Sequence, residues 1–125
     1  MPHLIAHYSA NLIELDQHAL LKVVNTALIE TDLFSANDIK SRIFKDDVFL
    51  IGLEENQEAY IHLKLYLLSG RTEAQKQVAG EALLGVLEQK NYMKAKIENS
   101  IQVCVEVIDM PREFYFKNII YSKTI

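Results

Sequence analysis

The sequence predicts an α/β (α+β) fold in which one β-α-β unit occurs twice within a single domain, residues 1–125. Three observations support this prediction. The length of 125 residues is that of one domain. Strand-like and helix-like stretches follow each other in the order strand, helix, strand, and this order begins again after roughly 57 residues, as an internal repeat would. Right-handed crossovers then give a four-stranded sheet with two helices on one face.

The first unit is predicted from the beginning of the chain. Pro2–Tyr8 alternates apolar and polar residues, and proline is tolerated at the first position of a strand. Apolar residues then recur at helical spacing from about Asp16 to Thr31, with Asp16 as the N-cap. Ile39–Phe44 alternates again, which places Arg42 on the face opposite to the two isoleucines of this strand.

The second unit repeats this order. Ala59–Leu68 has the strongest strand pattern of the chain. Thr72 and Gln75 are spaced as a capping box, and they predict a helix that continues to about Lys96. Ile101–Ile108 is predicted as the last strand because it is rich in β-branched residues.

Two further apolar segments and one apolar face of the sheet are not accounted for by the two β-α-β units. Val48–Leu53 is a short apolar run that is interpreted as an edge strand or hairpin arm. The tail, residues 114–121, is too apolar to remain in solvent. Ile5, Val103 and Val105 are expected on the sheet face away from the helices. Because a bare apolar face requires a partner, a homo-oligomer is expected.

Composition excludes several functional classes. The formal net charge is -4 and no basic run occurs, which argues against nucleic acid as a partner. The single cysteine, Cys104, excludes an intramolecular disulfide; it is expected to be buried, and the chain to be cytoplasmic. No signal peptide is recognised, and no run reaches the ~18 apolar residues of a membrane span. Motifs for metals or nucleotides are also missing, so no cofactor and no metal are expected.

The second residue is a candidate catalytic group. A residue as small as Pro2 normally becomes the N-terminus when Met1 is removed, and it then carries a free secondary amine. An α-amine titrates near 7.7–8.0, and an apolar pocket or nearby cations lower its pKa. A neutral amine can act as a general base. If Met1 is retained, the nitrogen of Pro2 is an amide without basicity.

The opening MPHLIAHYSANL resembles that of the 5-carboxymethyl-2-hydroxymuconate isomerases of the tautomerase superfamily, which begin MPHxIxxxSxN. Other segments that resemble this family are distributed over nearly the whole chain: Ser41-Arg42-Ile43, Tyr60-Ile61-His62-Leu63-x-Leu65, Gly70-Arg71-Thr72, Gln77-x-Ala79-Gly80-Glu81 and Phe116-Lys117-Asn118. The sequence departs from the family pattern at His7-Tyr8, at Ala10 and at Lys45-Asp46-Asp47.

The resemblance implies the tautomerase fold, whereas the pattern of elements alone equally allows a ferredoxin-like arrangement. It also implies a homotrimer that converts the enol 5-carboxymethyl-2-hydroxymuconate, a small carboxylate substrate, to its conjugated keto tautomer in homoprotocatechuate breakdown. Pro2 would move the proton, and Arg42 and Arg71 would bind carboxylates. The departures leave open another 2-hydroxy-enoate, an aryl-pyruvate enol, or a non-catalytic binding protein on the same scaffold.

The remaining candidate residues have simpler interpretations. Arg112 follows a proline in a predicted turn and is expected at the surface. His62 is expected to be structural, hydrogen-bonded across the sheet or at an interface. His3 is expected to belong to the scaffold, because successive strand residues point to opposite faces. Tyr8 and Phe116 are expected in a trimer interface rather than in a pocket wall.

Overall fold

The two β-α-β units meet at their first strands, which lie side by side in the centre of one sheet. The computed structural model describes residues 1–122. Its strands and helices are β1 (His3–Ser9), α1 (Gln17–Glu30), β2 (Lys40–Asp46), β3 (Glu58–Leu68), α2 (Glu73–Gln89) and β4 (Ser100–Met110). The strand order is β2-β1-β3-β4. β1 and β2 are parallel, β3 and β4 are parallel, and the two central strands are antiparallel. The predicted four-stranded sheet with a duplicated unit is therefore confirmed.

The core lies between the sheet and the two helices. Leu4 and Ala6 of β1 are opposite Leu65 and Leu63 of β3, and all four side chains are fully buried. The helices complete the core with Leu20, Val24 and Leu28 of α1 and with Ala79, Leu83 and Leu87 of α2. These residues recur every four positions, so each helix turns one apolar stripe toward the sheet.

The N-caps of both helices form as the sequence predicts. The side chain of Asp16 accepts a hydrogen bond from the backbone N–H of Ala19 at 3.0 Å. At the start of α2, the Thr72 hydroxyl accepts from the Gln75 N–H at 3.1 Å. The Gln75 side chain in turn accepts from the Thr72 N–H at 2.9 Å, which completes the capping box.

The second helix ends earlier than the sequence predicts. α2 stops at Gln89 rather than near Lys96, because Lys90 adopts a left-handed conformation with φ of 61°. The buried Tyr92 then folds back, and its hydroxyl donates to the carbonyl oxygen of Leu87 at 2.5 Å. Burial raises the pKa of Tyr92 to about 12, so this donor keeps its proton at physiological pH. A local side-chain hydrogen bond that the periodicity does not reveal thus accompanies the end of the helix.

The predicted edge strand at Val48–Leu53 is wrong. This segment is an irregular loop in which Gly52 has a φ of 76°. The Asn56 side chain donates to the carbonyl oxygens of Ile51 and Glu54, so it holds the backbone in a turn rather than an extended ladder. Val48 is 97% exposed, so its apolar character reflects no burial within one chain.

The face of the sheet opposite the helices is more polar than predicted. Val103 and Val105 pair with the fully buried Ile61 and Leu63, so they face the helices instead of the open side. Cys104 is exposed on the open face rather than buried. β4 is apolar on both faces over part of its length, and a shift of one residue exchanges the two faces of a strand. Ile5 lies on the open face, as predicted, because it pairs with residues of that face.

The open face carries a hydrogen-bonded carboxylate at the end of β2. His7 Nδ1 donates to Asp46 Oδ1 at 2.9 Å, and the Tyr60 hydroxyl donates to Asp46 Oδ2. Burial acts to raise the pKa of Asp46, but the hydrogen bonds from His7 and Tyr60 outweigh it, and the pKa is lowered. Burial and the carboxylate raise the pKa of Tyr60 to about 12.

We expect Asp46→Asn to lower the free energy of unfolding at pH 7 by about 1.5–3 kcal/mol, the range for hydrogen bonds to charged groups. A carboxyl group whose pKa is lower in the folded than in the unfolded protein stabilises the fold at any pH above its unfolded-state pKa. This stabilisation is lost as the pH falls through the folded-state pKa. We therefore expect urea unfolding to show that the free energy of unfolding decreases less between pH 7 and pH 3 in the variant than in the wild type. Asp47→Asn is the matched control, since Asp47 is mostly exposed and, among residues 1–122, forms an ion pair only with Lys45. Equal effects of the two substitutions would contradict the prediction.

Candidate active site

The N-terminus is fixed at the point where β2 begins. The side chain of Pro2 is buried, and its carbonyl oxygen accepts from the Lys40 N–H at 3.0 Å. The amine of Met1 donates to the carbonyl oxygen of Asp38 at 2.9 Å. Burial first, and then the positive charge of Lys40, lower the pKa of this amine. The first residues are therefore held in an environment that disfavours a charged amine.

A groove of about 280 Å³ opens on the bare face of the sheet next to this N-terminus. Residues from β1, β2, β3, β4 and the segment after β4 line it: His3, Ile5, Arg42, Tyr66, Met110 and Tyr115. Ile5 and Arg42 are register partners on neighbouring strands. The groove thus combines an apolar and aromatic wall with a guanidinium group, as a site for an organic anion requires.

His3 lies at the centre of the polar contacts in this groove. Its Nδ1 is 3.3 Å from a terminal nitrogen of Arg42, and its Nε2 is 3.0 Å from the hydroxyl oxygen of Tyr115. Burial lowers the pKa of His3, and the positive charges of Arg42, Lys40 and Lys117 lower it further. Basic groups are therefore concentrated here in a chain whose formal net charge is -4.

Arg71 lies at the same end of the sheet but does not line the groove. It follows β3 after a turn in which Gly70 has a φ of 122°, a region that favours glycine. The guanidinium carbon of Arg71 lies 4.5 Å from the centre of the Phe34 ring. Arg112 is exposed, as predicted, and it also donates to the carbonyl oxygen of Ser69 at 3.0 and 3.2 Å. The structure therefore places Arg42 in the groove beside His3 and holds Arg71 against an aromatic ring.

The other candidates occupy different places. His62 forms a cross-strand contact with Glu106 at 2.6 Å, which confirms its structural interpretation. Tyr8 is buried on the helix side, where Gln17 donates to its hydroxyl at 2.9 Å; the expectation that Tyr8 lies in an interface is wrong. Sequence reasoning missed Tyr115 as a neighbour of His3 and Lys40 as a neighbour of Pro2. The only signal for Tyr115 was its position in an apolar tail that has to pack on something.

The described part of the chain offers neither a cluster of metal ligands nor a membrane-spanning helix. Within residues 1–122, no group of three or more His, Cys, Asp or Glu side chains is arranged to hold a metal ion. None of the helices in this range has the length and apolarity needed to cross a membrane.

Comparison with known proteins identifies the family. The family model described as 5-carboxymethyl-2-hydroxymuconate isomerase matches residues 2–122. A curated relative, the 5-carboxymethyl-2-hydroxymuconate Delta-isomerase of Escherichia coli, is 30% identical over 102 residues, which are 81% of this chain and 79% of the relative. The sequence match to this family therefore extends over almost all of the chain.

Solved structures agree with this result. The crystal structure of a 5-carboxymethyl-2-hydroxymuconate isomerase from Deinococcus radiodurans R1 superposes with a TM-score of 0.79 at 26% identity, covering 94% of this chain and 88% of that one. A fused 4-OT wild type symmetric trimer has a TM-score of 0.62 at 20% identity, covering 87% and 85% of the two chains, and shows the shared fold. The chain therefore belongs to the 5-carboxymethyl-2-hydroxymuconate isomerase family, and it is an isomerase.

Proposed function

We propose that this protein, once trimmed to Pro2, catalyses the enol-keto tautomerisation of 5-carboxymethyl-2-hydroxymuconate or a similar muconate-type polycarboxylate. The observation that carries this proposal is the groove beside the N-terminus, in which Arg42 faces apolar and aromatic side chains. A polycarboxylate enol needs both features, because its charges require fixed cations and its carbon skeleton requires an apolar wall.

The amine of Pro2 is proposed as the base that moves the proton. At this end of the chain, burial and Lys40 lower the pKa of the Met1 amine. The same surroundings would act on an amine one residue further along the chain, since Pro2 is buried and bonded to Lys40 through its carbonyl. A lowered pKa leaves a larger neutral fraction at physiological pH, and only the neutral amine can accept a proton.

Arg42 and Arg71 are proposed to bind carboxylates of the substrate. Guanidinium groups match a carboxylate with two parallel hydrogen bonds, which lysine cannot reproduce. Arg42 already faces the groove. The contact of Arg71 with Phe34 occupies the π face of the ring and leaves the guanidinium N–H groups available for a carboxylate. Negative charge that develops on the dienolate would be stabilised by the same cations.

A homotrimer is proposed as the functional assembly. The segment after β4 exposes large apolar side chains within one chain, with Phe116 87% and Ile120 97% exposed. The apolar loop at Val48 is exposed to a similar degree. Two apolar surfaces, this loop and the segment after β4, are therefore expected to be buried in an interface. A structural neighbour with this fold is described as a symmetric trimer. A second copy of the chain would bury these surfaces without any other partner.

The second candidate substrate is an aryl-pyruvate enol. The groove contains Tyr66 and Tyr115 next to Met110, and this apolar and aromatic wall would also accept an aryl ring. Arg42 would then bind a single carboxylate. A non-catalytic binding role is the third candidate, and it applies if Met1 is retained in the cell.

Intact mass spectrometry of untagged, natively expressed protein tests the proposal when it is combined with a spectrophotometric enol-keto assay of the same sample. We expect a mass short by one methionine, and faster ketonisation of 5-carboxymethyl-2-hydroxymuconate than of phenylpyruvate enol. The reverse substrate order would favour the aryl-pyruvate alternative. A trimmed protein that is inactive on both enols would refute tautomerase function.

A further inference from the structure

The hydrogen bonds around His3 fix which of its ring nitrogens carries the proton. A guanidinium group can only donate hydrogen bonds. Because Arg42 approaches Nδ1 of His3 at 3.3 Å, this nitrogen must be the acceptor and cannot bear a hydrogen. A neutral imidazole carries its single proton on the other nitrogen, so His3 is the Nε2–H tautomer.

The surroundings also keep His3 neutral. A charged imidazolium would turn an N–H toward Arg42, where it would meet another donor and another positive charge. Burial and the charges of Arg42, Lys40 and Lys117 lower the pKa of His3 below its ordinary value of 6.5. The tautomer set by Arg42 is therefore the form present at neutral pH.

This tautomer determines what the hydroxyl of Tyr115 can do. Nε2–H of His3 donates to the Tyr115 oxygen at 3.0 Å, so the hydroxyl hydrogen is not used in this contact. Within residues 1–122 the structure gives this oxygen no other hydrogen-bond partner. Tyr115 lines the same groove as Arg42, and it is half-buried there. A directed donor thus lies beside a fixed cation in a groove of about 280 Å³.

We infer that Tyr115 is a substrate-binding residue whose hydroxyl donates to the same substrate carboxylate that Arg42 binds, and that His3 is the positioning residue that orients this hydroxyl. The inference rests on the proposed function. It assigns three side chains to one carboxylate subsite: Arg42 supplies charge, Tyr115 supplies a second donor, and His3 links them by accepting from one and donating to the other.

The tautomer is tested first, with no dependence on catalysis. Long-range ¹H–¹⁵N correlation spectra of labelled protein distinguish Nε2–H from Nδ1–H histidines. We expect His3 as the neutral Nε2–H form at pH 7, identified by the loss of its signals in His3→Gln. An Nδ1–H or protonated His3 would overturn the inference, even in an active enzyme.

Kinetics of three variants then test the subsite. Tyr115→Phe removes only the hydroxyl, and we expect KM for the enol to rise about 10- to 150-fold, the range for one hydrogen bond to a charged group, with little change in kcat. His3→Asn keeps an acceptor for Arg42 but is too short to reach Tyr115, so it should raise KM similarly. His3→Gln places an amide donor near the former Nε2 and should restore most of the loss. Tyr121→Phe is the matched control, because Tyr121 does not line the groove.

A double variant separates positioning from a general structural effect. If His3 acts through Tyr115, then His3→Asn combined with Tyr115→Phe should have the KM of Tyr115→Phe alone. Additive effects, or an unchanged KM in Tyr115→Phe, would overturn the inference while an active wild type leaves the proposed function intact. An inactive trimmed wild type would refute the proposed function itself, and the subsite with it.

Discussion

Protein that retains Met1 is expected to show a kcat for enol-keto tautomerisation about 10²- to 10⁴-fold below that of protein trimmed to Pro2, the usual contribution of a general base. Acylation by Met1 turns the nitrogen of Pro2 into an amide, which cannot accept the proton. A leucine inserted between Met1 and Pro2 should prevent trimming, and intact mass spectrometry reports whether it does. Stopped-flow measurement of ketonisation then compares the two forms under saturating substrate.

Two controls show whether the amine itself is responsible. Pro2→Ala keeps a free amine but makes it primary, so its activity should lie between those of the trimmed and blocked proteins. The acid limb of the pH profile of kcat/KM should lie below the ordinary 7.7–8.0 of an α-amine, because burial and Lys40 lower the pKa of the amine at this end of the chain. Activity is lost as the pH falls through this value, since the protonated amine cannot act as a base. Full activity of a protein shown to be blocked would exclude Pro2 as the base.

Most of the fold could be predicted from local sequence signals. Alternation identified three of the strands and β-branched residues identified the fourth, and side-chain caps such as the one at Thr72 identified where helices begin. Errors occurred where a particular side-chain hydrogen bond, rather than periodicity, decides the structure. Tyr92 folding onto Leu87 ends α2, and Asn56 bonded to neighbouring carbonyls makes a loop of an apolar run. Neither contact has a periodic signature in the sequence.

The candidate site was also predicted only in part from local sequence signals. Pro2 and Arg42 were identified from the opening motif and from a strand segment, and the parallel register of β1 and β2 places Arg42 opposite Ile5, on the face that also carries His3. Tyr115 comes from the segment after the last strand and reaches His3 across 112 positions of sequence. A contact over that distance depends on the complete sheet, so a reading of successive residues cannot provide it.

The two arginines are expected to differ in how much they contribute. Arg42→Gln should lower kcat/KM about 10- to 150-fold, the range for hydrogen bonds between a charged group and its partner. Arg42 lines the groove and also fixes the tautomer of His3, so its loss removes both a cation and an oriented donor. Arg42→Lys restores the charge without the paired geometry and should recover only part of the rate.

Arg71→Gln should lower kcat/KM less than Arg42→Gln does, because Arg71 lies outside the groove and against Phe34. It should also lower the free energy of unfolding by about 0.5–1 kcal/mol, since it removes a cation-π contact. Steady-state kinetics with chemical unfolding of the same samples separate the two effects. If the arginines bind different carboxylates, their effects on kcat/KM should add in the double variant. An effect of Arg71→Gln on stability alone would remove Arg71 from the substrate site and leave Arg42 as the arginine that holds the anion.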